Sequence, residues 1–138
     1  MTSIGRLLTK EQGRLTVRRV LSVDNGTALV ETTYDTEGLL HEFHYTTLGT
    51  IQSFIRPDGS LYGDVKAGMR TDGNDTGVYR GITGGTYTEE TLHGRTYRGA
   101  ITFENAVGAF AELNSVLAAF ELDIDDAGKV SYRTWELV

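Results

Sequence analysis

Arg19, Tyr34, His41 and Tyr45 are the residues of this chain best suited to joint chemistry. Tyrosine and histidine donate or accept protons, and arginine holds a carboxylate or enolate oxygen. In a dry cavity such groups orient a polyunsaturated or carbonyl-bearing substrate and stabilise charge developing on oxygen. The four are spread along the chain, so the fold must gather them.

Two hairpins are predicted to do so. Leu15 to Val23 alternates with period two, with Leu15, Val17, Leu21 and Val23 on one face and Arg19 among them. Asn25-Gly26 suits a tight type I′ turn, because asparagine and glycine accept positive φ. That register sets Val23 opposite Ala28, Leu21 opposite Val30, Arg19 opposite Thr32 and Val17 opposite Tyr34. A second turn at Glu37-Gly38 then sets Tyr34 against His41, Thr32 against Phe43 and Val30 against Tyr45. Both hairpins agree on one inward face, and a slip of a single residue would exchange the faces. A solid core rarely tolerates an arginine and a histidine, so the face predicts a partly polar cavity. The opposite face carries Arg18, Glu31, Thr33, Glu42 and His44 and is wetter, with His44 facing Glu31 as a surface ion pair.

The rest of the chain repeats the pattern. Thr50 to Arg56 reads as a strand ended by Pro57-Asp58-Gly59. Leu61 to Thr71 follows, with Leu61, Val65, Ala67 and Met69 on one side and Tyr62, Asp64, Lys66 and Arg70 on the other. Gly63 and Gly68 predict bulges or sharp curvature in that strand. Asp72 to Asp75 is a turn, Gly77 to Thr83 a short strand, and Gly84 to Arg95 a long mobile loop with Glu89, Glu90 and His93. Arg95 to Glu104 is a strand, and Asn105 to Val116 carries one short helical turn. Leu117 to Ile124 and Lys129 to Leu137 close the series as a hairpin, with Phe120 facing Trp135. The expected fold is all-β: a closed antiparallel up-and-down barrel of eight or nine strands, one domain over residues 1–138. Phe43, Tyr62, Asp64, Phe120 and Trp135 are the candidate ligand-binding residues beside the catalytic set.

Other motifs carry less. His41-x-x-His44 has two imidazoles, but positions i and i+3 of a strand point to opposite faces, so no shared metal is expected. Asp123-x-Asp125-Asp126-x-Gly128 lacks the ligands of a calcium loop at Ala127 and Thr134 and reads as an acidic turn. No phosphate loop, dinucleotide fingerprint or nucleophile elbow is present. The chain has no cysteine, which excludes disulfides, cysteine-ligated zinc and thiol catalysis. Its 13 basic and 19 acidic residues give a formal charge of −6. The densest basic cluster, Arg14, Arg18 and Arg19, is broken by apolar residues, so neither nucleic acid nor an anionic membrane is an expected partner. No apolar run approaches the ~20 residues of a membrane-spanning helix, and Met1 to Gln12 has too many charges for a signal-peptide core. A cytoplasmic protein is expected.

Leu61-Tyr62-Gly63-Asp64, then Gly81-Ile82-Thr83-Gly84-Gly85, then Gly94 and Gly99 resemble the allene oxide cyclase and dirigent barrel group. The resemblance covers about a third of the chain. It implies an eight-stranded barrel, often dimeric or trimeric, with an apolar ligand cavity. It also implies cyclisation or coupling of small hydrophobic molecules without a cofactor. Allene oxide cyclases use an N-terminal glutamate and a water held by a Ser-Pro segment. No equivalent is found before Leu29, so their catalytic residues are not carried over. Arg56-Pro57-Asp58-Gly59, Leu61-Tyr62-Gly63, Leu113-Asn114, Phe120-Glu121 and Trp135-Glu136 are similar to small prokaryotic barrel proteins without an assigned activity.

The expected function is a cofactor-independent barrel that holds a small hydrophobic molecule and catalyses its cyclisation or isomerisation, largely through conformational restraint. The competing readings are a carrier with the same cavity and no chemistry, and an assembly protein whose lumen is filled by side chains. A homo-oligomer, dimeric or trimeric, is expected.

Overall fold

A computed structural model describes residues 3–87 and 94–138. Eight antiparallel strands close into a barrel in sequence order: β1 (Ile4–Asp24), β2 (Thr27–Leu40), β3 (Phe43–Ile55), β4 (Ser60–Thr71), β5 (Thr76–Tyr87), β6 (Arg95–Glu104), β7 (Leu117–Ile124) and β8 (Lys129–Leu137). β1 pairs with β8 through Ile4 to Arg14 and closes the ring. Its remainder, to Asp24, pairs with β2. Side chains alternate in and out, and the inward set makes one core of aliphatic and aromatic residues. Among the described residues no helix is long and apolar enough to cross a membrane.

The odd-numbered hairpin turns lie at one end of the barrel and the even-numbered connections at the other. The even end is covered. There the chain after β6 makes a 3₁₀ turn, Gly108–Leu113, which buries Phe110 and Leu113. Phe110 meets the Tyr45 ring edge-on at 5.4 Å. The Asn114 side chain bonds both the N–H and the C=O of Ala106, and Asp75 accepts from the Ala109 N–H. At the odd end the β1–β2 arm runs past its neighbour β8. From Leu15 onward β1 has no described strand on its β8 side, and no side chain from Leu15 to Asp24 is fully buried.

Several expected details shift. The Asn25-Gly26 turn forms, with φ of 51° and 76°, and Val23 does face Ala28. The register then slips by a residue at each of two irregularities, between Val20 and Ser22 and between Leu15 and Val17. Val20, not Leu21, faces Val30; Glu31 faces Arg19; and Leu15, not Val17, faces Tyr34. Strict period-two counting cannot register these extra residues. Glu37-Gly38 is not a turn. β2 runs on to Leu40, and the turn is His41-Glu42, with φ of 48° and 75°. Two non-glycine residues in the left-handed region carry no composition signal. Tyr34 therefore faces Gly49, and Tyr45 faces Gly38.

β5 is longer than expected and continues through Gly84-Gly85 to Tyr87. Glu89, Glu90 and His93 of the expected loop lie outside the described residues. β4 keeps an unbroken register with both neighbours, so Gly63 marks curvature without a bulge. A Cβ there would lie 1.8 Å from the Gln52 carbonyl oxygen. The last hairpin has the expected bounds but pairs Phe120 with Thr134 and Ala119 with Trp135. Asp125 sets that register by accepting from the Ala127 and Lys129 N–H groups within the turn. Phe120 thus points inward and Trp135 outward, where the Arg133 guanidinium lies 5.7 Å from its ring.

Candidate functional site

The centre of the lumen is aromatic. Tyr34 from β2, Tyr79 from β5, Tyr132 from β8 and Phe120 from β7 are all buried. Tyr132 stacks against Tyr79 at 5.8 Å and against Tyr34 at 6.2 Å between ring centres. The Tyr34 and Tyr79 hydroxyls share a hydrogen bond of 2.5 Å across the barrel. Space for the Tyr34 ring comes from its cross-strand neighbour: a Cβ on Gly49 would sit 2.2 Å from Tyr34 Cζ. Burial pushes all three phenols well above their ordinary range, so they stay protonated and act only as neutral hydrogen-bonding groups.

Toward the covered end lies a carboxyl that the sequence reading did not single out. Glu11 projects inward from β1 and is 1 % exposed. Its Oε1 accepts from the Thr36 hydroxyl at 2.6 Å, and its Oε2 accepts from the Tyr45 hydroxyl at 2.9 Å. Beside it the Thr9 and Thr134 hydroxyls bond each other at 2.6 Å. Burial raises the carboxyl above its ordinary 4.5, and the hydroxyls that bond it oppose the rise without reversing it. The phenol of Tyr45 is raised by its own burial and by the charge of Glu11. Glu11 therefore combines desolvation with neutral donors, which produces a carboxyl able to exchange a proton closer to neutral pH than a surface glutamate.

The expected catalytic set divides. Tyr34 and Tyr45 lie inside the lumen, within the electrostatic reach of Glu11. Arg19 points outward and pairs with Glu31 at 3.3 Å. His41 sits in the exposed β2–β3 turn, where its Nε2 meets the Glu112 carboxylate of the 3₁₀ turn. Of the expected ligand-binding residues, only Phe120 is in the lumen. Phe43 is exposed beside the turn, and Trp135 packs on the outer wall. Tyr62 is also outside, under the Arg56 guanidinium at 5.0 Å, and Asp64 is exposed on the same strand. His44 is on the outer face as expected, but its ion-pair partners are Asp72 and Glu37, at 3.0 and 3.2 Å. Among the described residues no cluster of three metal-ligating side chains is present.

The signal for Glu11 was present in the sequence. Thr9, Glu11 and Gly13 alternate with Lys10, Gln12 and Arg14, but an acid at an inward position breaks the hydropathy rule used to find a strand face. Tyr79 and Tyr132 follow from ordinary alternation. Outer grooves lie elsewhere. One of about 550 Å³ is lined by Gln12, Gly13, Arg14, Glu37, Ala127 and Lys129, with no residue of the interior cluster.

No protein-family model matches the chain, and no curated protein is similar to it in sequence. Solved structures share its shape. A conserved protein of unknown function from Rhodopseudomonas palustris has a TM-score of 0.78 at 11 % identity, over 100 % of this chain and 99 % of its own. A protein of unknown function from Clostridium acetobutylicum ATCC 824 has a TM-score of 0.79 at 11 % identity, over 100 % of both chains. A β-barrel-like protein from Acinetobacter baumannii AYE has a TM-score of 0.77 at 14 % identity, over 100 % of this chain and 97 % of its own. At these identities the likeness shows the fold: this chain is a small closed β-barrel of the same shape as those proteins.

Proposed function

We propose that the barrel binds a small apolar, oxygen-bearing molecule in its lumen and catalyses its isomerisation or cyclisation without a cofactor, with Glu11 moving the proton. The observation that carries this reading is the Glu11 carboxyl, buried among aromatic rings and bonded by the Thr36 and Tyr45 hydroxyls. Ionised Glu11 removes a proton from a carbon lying between a carbonyl and a C=C bond, the electron pair moves onto the carbonyl oxygen to give a dienolate, and a buried phenol donates a hydrogen bond to its oxygen. The same carboxyl returns the proton at another carbon, so the double bond shifts with no net loss of atoms or charge. General acid–base help of this kind contributes about 10²–10⁴-fold. The likeness of the Tyr62-Gly63-Asp64 and Gly81 to Gly85 segments to cofactor-free cyclases agrees with this reading.

The test is deuterium uptake from D₂O at carbons adjacent to the carbonyl in a panel of apolar ketones, read by mass spectrometry. Wild-type protein is expected to accelerate uptake, and Glu11→Gln to lower it about 100-fold. Equal uptake by both proteins sinks the role of Glu11. The second reading is a non-catalytic carrier, favoured by the mutual packing of Tyr34, Tyr79, Tyr132 and Phe120 across the lumen. Ketone binding without any exchange supports it.

A further inference from the structure

The connection between β6 and β7 differs from every other described connection of the barrel. The others, at 25–26, 41–42, 56–59, 72–75 and 125–128, have no buried residue. This one buries Ala106, Phe110 and Leu113 at the covered end of the lumen. It is also tied to itself. The Asn114 side chain accepts from the Ala106 N–H at 2.9 Å and donates to the Ala106 carbonyl at 2.8 Å, so one residue clasps the two ends of the segment. Inside the clasp the Phe110 N–H donates to the Val107 carbonyl at 3.1 Å, and the Asn114 N–H to the Ala111 carbonyl at 3.2 Å. Immediately outside it, Asn105 and Ser115 have φ of 50° and 66°. Left-handed backbone is sparsely populated by non-glycine residues, and such positions cluster at switch regions. Hinge motion is absorbed by a few element-terminal residues of this kind.

Its polar moorings to the barrel, among the described residues, are few. The Val107 N–H donates to the Thr76 carbonyl at 2.9 Å, and the Ala109 N–H to Asp75 Oδ2 at 3.0 Å. A single bridge joins Asn114 to Phe103, and the Glu112 carboxylate meets His41 Nε2 in solvent. The main attachment is therefore the burial of Phe110 and Leu113. We infer that residues 105–116 form a hinged lid, which turns about Asn105 and Ser115 as one body and withdraws Phe110 and Leu113 from the lumen. Closed, the lid lays its Phe110 ring against Tyr45, whose hydroxyl donates to Glu11. Open, it uncovers that pair and leaves apolar room where its two side chains were. The contact between Phe110 and Tyr45 is thus autoinhibitory: the lid's own ring holds the place beside the buried carboxyl until the lid moves. The inference concerns access to the lumen and does not depend on what Glu11 does there.

The experiment is amide hydrogen exchange of the full chain without ligand, read residue by residue by NMR at rising urea below the unfolding transition. The Ala106, Ala109, Phe110 and Asn114 amides are expected to exchange together, about 10-fold or more faster than the bonded amides of β7 and β8, and with a shallower dependence on urea. Two variants separate lid opening from unfolding of the barrel. Ile124→Val trims a buried side chain of β7, away from the lid. It is expected to speed the β7 and β8 amides about 5-fold and to leave the lid amides unchanged, because the lid opens without disturbing Ile124. Asp75→Ala removes a mooring of the closed state and is expected to speed the Ala106, Phe110 and Asn114 amides about 10-fold. Lid amides that ignore Ile124→Val and respond to Asp75→Ala establish the lid. Lid amides that follow β7 and β8 in rate, and in their response to Ile124→Val, overturn it. Either result leaves the deuterium-uptake test of Glu11 standing on its own.

Discussion

At one end of the barrel the chain after β6 folds back and seats Phe110 and Leu113 beneath the strand ends, edge-on to Tyr45. At the other end β1 runs past the wall, with Val20 and Val23 in solvent on a face that elsewhere is core. Under the plug Glu11 is bonded to Thr36 and Tyr45, and Thr9 to Thr134. Nearer the other end, the Thr32 Oγ1 and Ser53 Oγ have no hydrogen-bond partner among the described residues. The covered end is where the described core is plugged, and the β1–β2 arm is where inward-facing apolar side chains stay exposed.

The largest expected effect tests that division. Phe110→Ala removes a fully buried ring from the plug and is expected to cost about 3–5 kcal/mol in denaturant unfolding. Val23→Ser on the exposed β1–β2 arm is expected to change stability by less than about 0.5 kcal/mol. Similar costs for the two would erase the contrast between the ends.

The next effect concerns pH. A carboxyl raised above 4.5 by burial binds its proton more tightly in the folded chain than in the unfolded one. Its favourable contribution is complete below pH 4.5 and is lost as pH rises through the folded-state value. Glu11→Gln keeps the acceptor and removes the titration. The variant is expected to be more stable than wild type at mildly alkaline pH and to lose that advantage toward pH 4.5. Parallel pH profiles for the two proteins would contradict the assignment.

The smallest effect is on the outer wall. Hydrogen bonds to Asp72 and Glu37 raise His44 above the usual 6.5. Its contribution is present below pH 6.5 and fades as pH rises through the folded-state value. His44→Gln is expected to flatten only that shallow alkaline decline, since the pair is solvent-exposed. An unchanged profile above pH 6.5 would show that the exposed pair contributes nothing.

The barrel itself was legible from alternation and turn residues. β6, β7 and β8 have the bounds expected from the sequence, and the inward face of β2 carries Val30, Thr32 and Tyr34 as expected. Register was harder to read. Extra residues near Thr16 and Leu21 moved Arg19 to the outside, and a turn made by His41 and Glu42 replaced one expected at Gly38. The first error displaced Arg19 by a single position, which on a strand is a change of face, and the second took His41 off the strand into the exposed turn. Glu11 escaped because an acid on an inward row looks like a break in the pattern; burial and partners identify it, and neither is visible in one dimension.

The most direct test is to follow the Glu11 side-chain carboxyl by ¹³C NMR through a pH titration, with Glu11→Gln to assign the resonance. The account predicts a midpoint clearly above 4.5. A midpoint at or below 4.5 would mean an ionised, well-stabilised carboxylate and would contradict Glu11 as the proton-moving group.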